Sequence, residues 1–124
     1  MKKKRKLDSC DSNLLRGNTE SILLFLIKEQ PNAYGYQLIK EIEKRSSGFF
    51  QLKEGTVYPA LHKLENMGLI QGRWIELTRE KEKRCYRISA KGRRALEDRI
   101  SMWRKFSGSM DVIFNSNKPV GGEI

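Results

Sequence analysis

Six polar or small side chains share one side of the segment between residues 55 and 70. Apolar residues recur three or four positions apart in this segment, so they line one face of a helix and leave a second face free. The free face carries Thr56, Tyr58, Pro59, His62, Lys63 and Asn66. Hydroxyl, amide and amino groups of this kind suit base edges and phosphate oxygens better than a protein interior. An ordinary solvated helix face has the same composition, so other features must separate the two interpretations.

Further candidate contacts to nucleic acid lie on both sides of this segment. Tyr36 and Gln37 open a predicted helix, where N–H groups can meet a phosphate, and Lys53 directly precedes the segment. A later charged stretch, expected at the tip of a hairpin wing, adds four basic side chains: Arg79, Lys81, Lys83 and Arg84. Two glutamates between them partly neutralise this stretch, and charge runs in turns are usually only solvated. Tyr36 suits a protein core equally well, so both interpretations stay open for these residues.

The residue types needed for catalysis or metal binding do not occur at useful spacings. His62 is the single histidine, and the two cysteines, Cys10 and Cys85, form no CxxC pair. There is therefore no set of zinc ligands and no nucleophile–base pair. We expect no metal, no cofactor and no enzymatic activity. A redox role for Cys10 is the alternative, but a lone cysteine in a tail is usually incidental.

The charge balance points to an anionic partner. The chain of 124 residues carries 25 basic and 15 acidic side chains, a net charge of +10. Five basic residues lie in the first six positions, where the tail either follows DNA or only keeps the protein soluble. The excess favours nucleic acid ahead of an anionic membrane. The longest apolar run, 22–27, is too short to span a bilayer, and two unpaired cysteines fit the reducing cytoplasm.

The elements that position these side chains are predicted from periodicity and from helix-ending residues. In the third helix, Thr56 is expected as the N-cap, Pro59 in the first turn and Gly68 as the left-handed terminator. The predicted helices and strands are helices over 19–29, 35–45 and 56–67, and strands over 69–76 and 83–88 joined by a charged turn over 77–82. This order is typical of a winged helix-turn-helix, whose second helix enters the major groove while the wing reaches phosphate.

A long final helix is predicted from a cap at Ser89 to Phe114. One apolar stripe follows it over about five turns, which indicates a buried or paired face. The stripe comprises Leu96, Ile100, Trp103, Phe106, Met110 and Ile113. We expect this stripe to form a dimer core. Alternatively, Trp103, Phe106 and Met110 bind a flat aromatic effector between the subunits.

Four segments together resemble the PadR family of transcriptional regulators. They are Tyr34-Gly35-Tyr36-Gln37-Leu38, Gly55 to Glu65 with its Tyr58-Pro59 pair, Gly68-Leu69-Ile70, and Arg84 to Gly92 with its Tyr86-Arg87 pair. The resemblance covers roughly residues 13–114 and is to the short form with a single C-terminal dimerisation helix. It implies a bacterial cytoplasmic homodimer that binds a dyad-symmetric operator and usually represses. The family's wing commonly has a glycine near its tip, and none occurs between Gly72 and Gly92.

The expected fold is mainly α with a small β-hairpin, a winged helix-turn-helix followed by a dimerisation helix. The expected segments are a disordered basic tail over 1–12, the DNA-binding domain over 13–89, the dimerisation helix over 90–114 and a flexible tail over 115–124. Double-stranded DNA and a second copy of the chain are the expected partners, with an aromatic effector as the optional third and no membrane. A winged-helix module that binds protein or RNA without an operator is the alternative.

Overall fold

The described part of the chain, residues 9–116, folds into helices around a small sheet in the computed structural model. The order of elements agrees with the prediction from periodicity, with one short helix and one short strand in addition. The elements are α1 (Ser12–Arg16), α2 (Thr19–Glu29), β1 (Ala33–Tyr34), α3 (Gly35–Arg45), α4 (Glu54–Asn66), β2 (Ile70–Thr78), β3 (Lys81–Ile88) and α5 (Ala90–Phe114). The predicted fold class, a winged helix-turn-helix with a long C-terminal helix, is confirmed.

The core forms around α2, because this helix is apolar on nearly every side. Leu23, Leu24 and Ile27 are completely buried. Leu38 of α3 and Leu61 of α4 pack against them in one continuous cluster. The predicted limits of the first two main helices, 19–29 and 35–45, match α2 and α3.

The predicted disorder of residues 1–12 is wrong at its end. The carboxylate of Asp11 accepts a hydrogen bond from the backbone N–H of Asn13 at 2.7 Å and so caps α1. The backbone N–H of Cys10 donates to the carbonyl of Phe49, also at 2.7 Å. These two bonds fix the chain from Cys10 onward. The rest of the basic tail, 1–8, and residues 117–124 of the predicted C-terminal tail lie outside the described residues.

The N-cap of helix α4 lies three residues earlier than expected. Lys53, in an extended conformation, is its N-cap, so Thr56 lies inside the helix and the predicted Thr56 cap is wrong. For the same reason Pro59 falls inside the helix rather than in its first turn. The predicted terminator is confirmed, since Gly68 has a φ of +77°, a value that glycine adopts at little cost.

The sheet has three antiparallel strands in the order β1-β3-β2, where only a hairpin was expected. Strand β1 is two residues long and pairs through Ala33 with Tyr86 and through Tyr34 with Cys85. The hairpin β2–β3 forms the wing, and its strands extend further than predicted. Its turn at Arg79 and Glu80 forms without glycine, because the Thr78 hydroxyl accepts a hydrogen bond from the Glu80 N–H at 3.3 Å.

The end of α4 is joined directly to the start of α5. The Ser89 hydroxyl donates to the carbonyl of Gly68 at 2.6 Å and accepts from the N–H of Gly92 at 3.0 Å. The Lys91 ammonium donates to the carbonyl of Met67 at 2.9 Å. A side chain at Gly92 would collide with the backbone of Leu69, so the two helices approach closely here. The predicted Ser89 cap is confirmed, and it serves two helices at once.

None of the helices in the part of the chain that the structure describes has the length and apolar character needed to cross a membrane.

Candidate nucleic-acid interface

Helix α4 has one side in the core and one side in solvent. Val57, Leu61 and Leu64 are completely buried, whereas all six residues of the predicted recognition set are exposed. With 3.6 residues per turn, Pro59, His62 and Asn66 lie most directly opposite the buried side, together with Gly55. The other three members, Thr56, Tyr58 and Lys63, therefore lie on the flanks of this surface. Met67, which follows the apolar spacing of this segment and was expected on its buried face, is exposed instead.

Tyr58 lies on the flank of α4 that faces the start of α3, and it is 41% exposed. An added Cβ at Gly35 would come within 2.5 Å of the Tyr58 ring, so glycine there allows the two helices to pack closely. Burial raises the pKa of the Tyr58 hydroxyl, and the nearby Glu54 and Tyr34 raise it further. The hydroxyl therefore keeps its proton at neutral pH and can donate to a phosphate or a base.

Lys63 lies on the other flank, toward α2 and α5. Its ammonium is 3.0 Å from one carboxylate oxygen of Glu20, and Arg99 of α5 is 3.2 Å from the other oxygen. The Lys63 side chain is 63% exposed, and an ion pair with so exposed a partner contributes only about 0–1 kcal/mol. The ammonium of Lys63 can therefore exchange Glu20 for a DNA phosphate at small cost.

The start of α3 and the residue before α4 lie at the surface. Tyr36 is exposed with Lys40 over its ring at 5.4 Å, so the core interpretation of Tyr36 is wrong. The Gln37 side chain accepts a hydrogen bond from the Tyr34 N–H at 3.1 Å and thereby caps α3. Lys53 is exposed at the start of α4.

The four basic residues of the wing occupy different surroundings. Arg79 and Lys81 are exposed at the tip. Lys83 is partly buried, and its ammonium lies over the Tyr34 ring at 5.0 Å. Arg84 is not part of the tip, since its guanidinium forms an ion pair with Glu65 of α4. The prediction that Arg84 lies at the wing tip is therefore wrong.

The apolar stripe on α5 divides into two parts. Leu96 is 2% exposed inside its own subunit, so its assignment to a dimer face is wrong. Ile100 is partly buried against the same core. The remaining members of the stripe, Trp103, Phe106, Met110 and Ile113, are exposed. Burial decreases along the stripe because the core of the subunit ends about halfway along α5, whereas the apolar period of the sequence continues beyond that point.

An apolar groove of about 730 Å³ runs along the exposed half of α5. Its walls include Leu14 of α1, Phe25 of α2, Phe49 after α3, and Trp103 and Met110 of α5. The rings of Trp103 and Phe106 lie 6.2 Å apart and are tilted by 30°. The groove can hold either a flat apolar ligand or apolar side chains of another chain. Among residues 9–116, no three potential ligands come together as a metal site.

Three residues of this surface were missed by the sequence analysis. Gly55 lies in α4 with nothing within 4 Å of the position of an added Cβ. Glu20 and Glu65 each hold a basic residue that was assigned to DNA. The signal for Gly55 was present, because an exposed glycine within a helix costs stability and suggests another use. No local pattern could have found the two glutamates.

The exposed side of α4, with α3 before it and a two-stranded wing after it, defines a winged helix-turn-helix protein. The sequence model of the Transcriptional regulator PadR-like family matches residues 23–98, and the chain belongs to this family. Its members are transcriptional regulators and not enzymes, which confirms the expected absence of enzymatic activity. The chain is accordingly a DNA-binding regulator of transcription.

Several proteins are similar over most of their length. An uncharacterised protein from Lysinibacillus sphaericus is 31% identical over 101 residues, which cover 82% of this chain and 92% of that protein. The structure of a transcriptional regulator from Clostridium thermocellum has a TM-score of 0.75 and 26% identity, covering 82% of this chain and 95% of its own. A PadR-like transcriptional regulator from Bacillus cereus has a TM-score of 0.72 and 26% identity, covering 85% and 99%.

Proposed function

We propose that the protein is a homodimeric repressor that binds a dyad-symmetric operator in the cytoplasm. The main support for the proposal is that one subunit has two separate surfaces without a binding partner. One is the exposed side of α4, and the other is the exposed apolar half of α5. Residues 13–89 would bind DNA and residues 90–114 would join the subunits.

The dimer is supported by the apolar surface that a single subunit leaves in water. Trp103 is 49% exposed and Phe106 is 58% exposed, and neighbouring positions on α5 are also apolar. Contiguous apolar patches of this kind on soluble proteins usually mark interfaces. The groove beside α5 provides a concave surface for the partner's apolar side chains, so a second copy can cover both features.

The exposed side of α4 supports reading of the major groove. Pro59, His62 and Asn66 would face the base edges, Thr56 and Lys63 on the flanks would meet phosphates, and Tyr58 would meet a phosphate or a thymine methyl. Phosphate contacts are proposed for the residues around α4, namely Tyr36, Gln37, Lys53, Arg79, Lys81 and Lys83. These contacts release counterions, so the affinity would fall steeply with salt.

An aromatic effector bound at Trp103, Phe106 and Met110 would alter the spacing of the two α4 helices and release the operator. The support is the apolar groove and its ring pair. The test is titration of candidate planar aromatics while tryptophan fluorescence and DNA affinity are recorded. Unchanged fluorescence and affinity over the whole set would remove the effector from the proposal.

The proposal as a whole is tested by selecting bound sequences from random duplexes. We expect an inverted repeat whose half-sites are about 34–36 Å apart, one helical turn. A variant with Asn66→Ala and His62→Ala serves as the control, and it should lose the sequence preference while keeping weak non-specific binding. Recovery of no repeat from the wild-type protein would contradict the operator and favour a module that binds protein or RNA.

A further inference from the structure

We propose that Arg84 is a positioning residue that holds the wing against the recognition helix, and that it does not contact DNA. The inference rests on the proposed reading of DNA by α4 and the wing. Its basis is a cluster of four residues in which Arg84 of β3 meets Glu65 of α4, with Trp74 and Gly72 of β2 on its other sides.

The guanidinium of Arg84 is enclosed by partners from three directions. Glu65, near the end of α4, accepts a hydrogen bond from it. Trp74 is the cross-strand partner of Arg84, and the guanidinium carbon lies 5.4 Å from its ring centroid. At Gly72, an added Cβ would come within 2.8 Å of the guanidinium, so a larger residue there would require the guanidinium to move. A planar guanidinium can use its fork for a carboxylate and its face for a ring at the same time.

The base of the wing is held by β1 and by Ile70 and Tyr86 in the core, but its outer part is a two-stranded hairpin, which is only marginally stable by itself. Residues 73–84 are mostly exposed, and Trp74 itself is 63% exposed. Among the ion pairs of residues 9–116, the Glu65–Arg84 pair is the one that joins α4 to the wing. Both of its side chains are largely shielded from water, unlike Lys63. The pair therefore fixes the angle between two elements that must fit the same stretch of DNA.

The competing interpretation is that Arg84 binds a phosphate and only rests on Glu65 in the absence of DNA. The two interpretations predict opposite effects for Glu65→Gln. If Arg84 binds phosphate, the substitution frees a cation and removes a repulsive carboxylate, so DNA binds more tightly. If Arg84 positions the wing, the same substitution loosens the wing and DNA binds more weakly.

The experiment compares Glu65→Gln, Arg84→Gln and the double variant on the duplex recovered by selection, over a range of salt concentrations. We expect each single variant to weaken binding by roughly five- to tenfold, with the double variant no weaker than either single one. The slope of log affinity against log salt should stay unchanged, because no phosphate contact is lost. Tighter binding by Glu65→Gln, or a slope reduced by about one in Arg84→Gln, would overturn the proposal.

Lys81→Gln is the matched control, since it removes one positive charge from the exposed wing tip. It should reduce the salt slope by about one. Hydrogen exchange of the β2–β3 amides without DNA supplies an independent readout. Exchange should become faster in Glu65→Gln and Arg84→Gln but not in Lys81→Gln, with α2 unchanged in all three. Unchanged wing exchange would reject the positioning role, whereas failure of the wild-type protein to select a repeat would reject only the proposed function.

Discussion

At the level of single residues, Gly55 leaves part of the exposed side of α4 without a side chain. It lies beside Pro59 and His62 on the solvent side of the helix, and no atom lies within 4 Å of the position of an added Cβ. The subunit itself does not require glycine there, and the proposed reading of DNA by α4 gives it a use, because glycine allows close approach of the backbone to a ligand.

We predict that Gly55→Ala stabilises the protein by up to about 1 kcal/mol yet weakens DNA binding, because the new methyl group separates α4 from the DNA. Gly108→Ala is the matched control, since Gly108 also lies in a helix with open space around it. It should stabilise the protein similarly without changing the affinity. Urea unfolding and titration of the selected duplex measure both effects, and equal affinity of the two variants would contradict the assignment of Gly55.

The ionisation of the Tyr86 hydroxyl makes the stability of the folded protein depend on pH in the alkaline range. Burial raises the pKa of this hydroxyl, chiefly because the charged form would lose its water, and Glu65 raises it further. The folded protein therefore holds this proton more tightly than the unfolded chain does. Its contribution to stability is complete below the unfolded pKa of about 10 and is lost as pH rises through the folded value.

In Tyr86→Phe, the melting temperature should fall less steeply between about pH 9 and pH 11 than in the wild-type protein. Some decline should remain, because burial also raises the pKa values of Tyr58 and Cys85. Parallel curves for the two proteins would show that Tyr86 does not control this range.

At the level of elements, the recognition helix is held at its C-terminal end. The carbonyls of Met67 and Gly68, directly after the helix, receive hydrogen bonds from Lys91 and Ser89 at the start of α5. The ammonium of Lys63 forms an ion pair with Glu20 of α2, and Glu20 also pairs with Arg99 of α5. The position of α4 is therefore defined relative to the helix that carries the proposed dimer face.

We predict that Ser89→Ala destabilises the protein by about 1–2 kcal/mol, because one hydroxyl is lost from two helix ends. Ser89→Thr should retain most of the stability, since it keeps the hydroxyl. Ser101→Ala on the exposed side of α5 is the control and should change little. Chemical unfolding measures all three, and a Ser89→Ala variant as stable as the wild-type protein would disprove the double cap.

At the level of the whole molecule, the distal half of α5 and the adjoining groove form an apolar surface that one subunit cannot cover. Phe106 and Ile113 lie on the apolar side of the helix. Val112 is also exposed, but it lies two and a half turns beyond Trp103 and therefore on the opposite side. This difference makes Val112 suitable as a control.

We predict that Phe106→Glu produces monomers at micromolar concentration and loses tight binding to the inverted repeat, because a carboxylate would be buried without a partner. Val112→Glu should remain dimeric and bind as the wild-type protein does. Sedimentation and operator titration provide the measurements. A dimeric Phe106→Glu protein would exclude this side of α5 as the interface, and a monomeric wild-type protein would reject the dimer altogether.

Local sequence was enough to predict the elements of the winged helix-turn-helix. The apolar periods of α2, α3 and α5 depend on neighbours within a few residues, as do the end of α4 at Gly68 and the cap at Ser89. Burial of one side of α4 follows from the same period. Strand β1 was missed because it forms only by pairing with β3, and α1 was missed because five residues are too few to show a helical period.

Only the tertiary structure decided which charged residues face solvent and which face each other. Arg84 and Glu65 are separated by 19 positions in sequence, and Lys63 is even further from Glu20. Likewise, Leu96 and Trp103 belong to one apolar stripe, but only Leu96 reaches the core of its own subunit. Periodicity identifies the side of a helix that is apolar, whereas the partner that covers it depends on how distant segments pack.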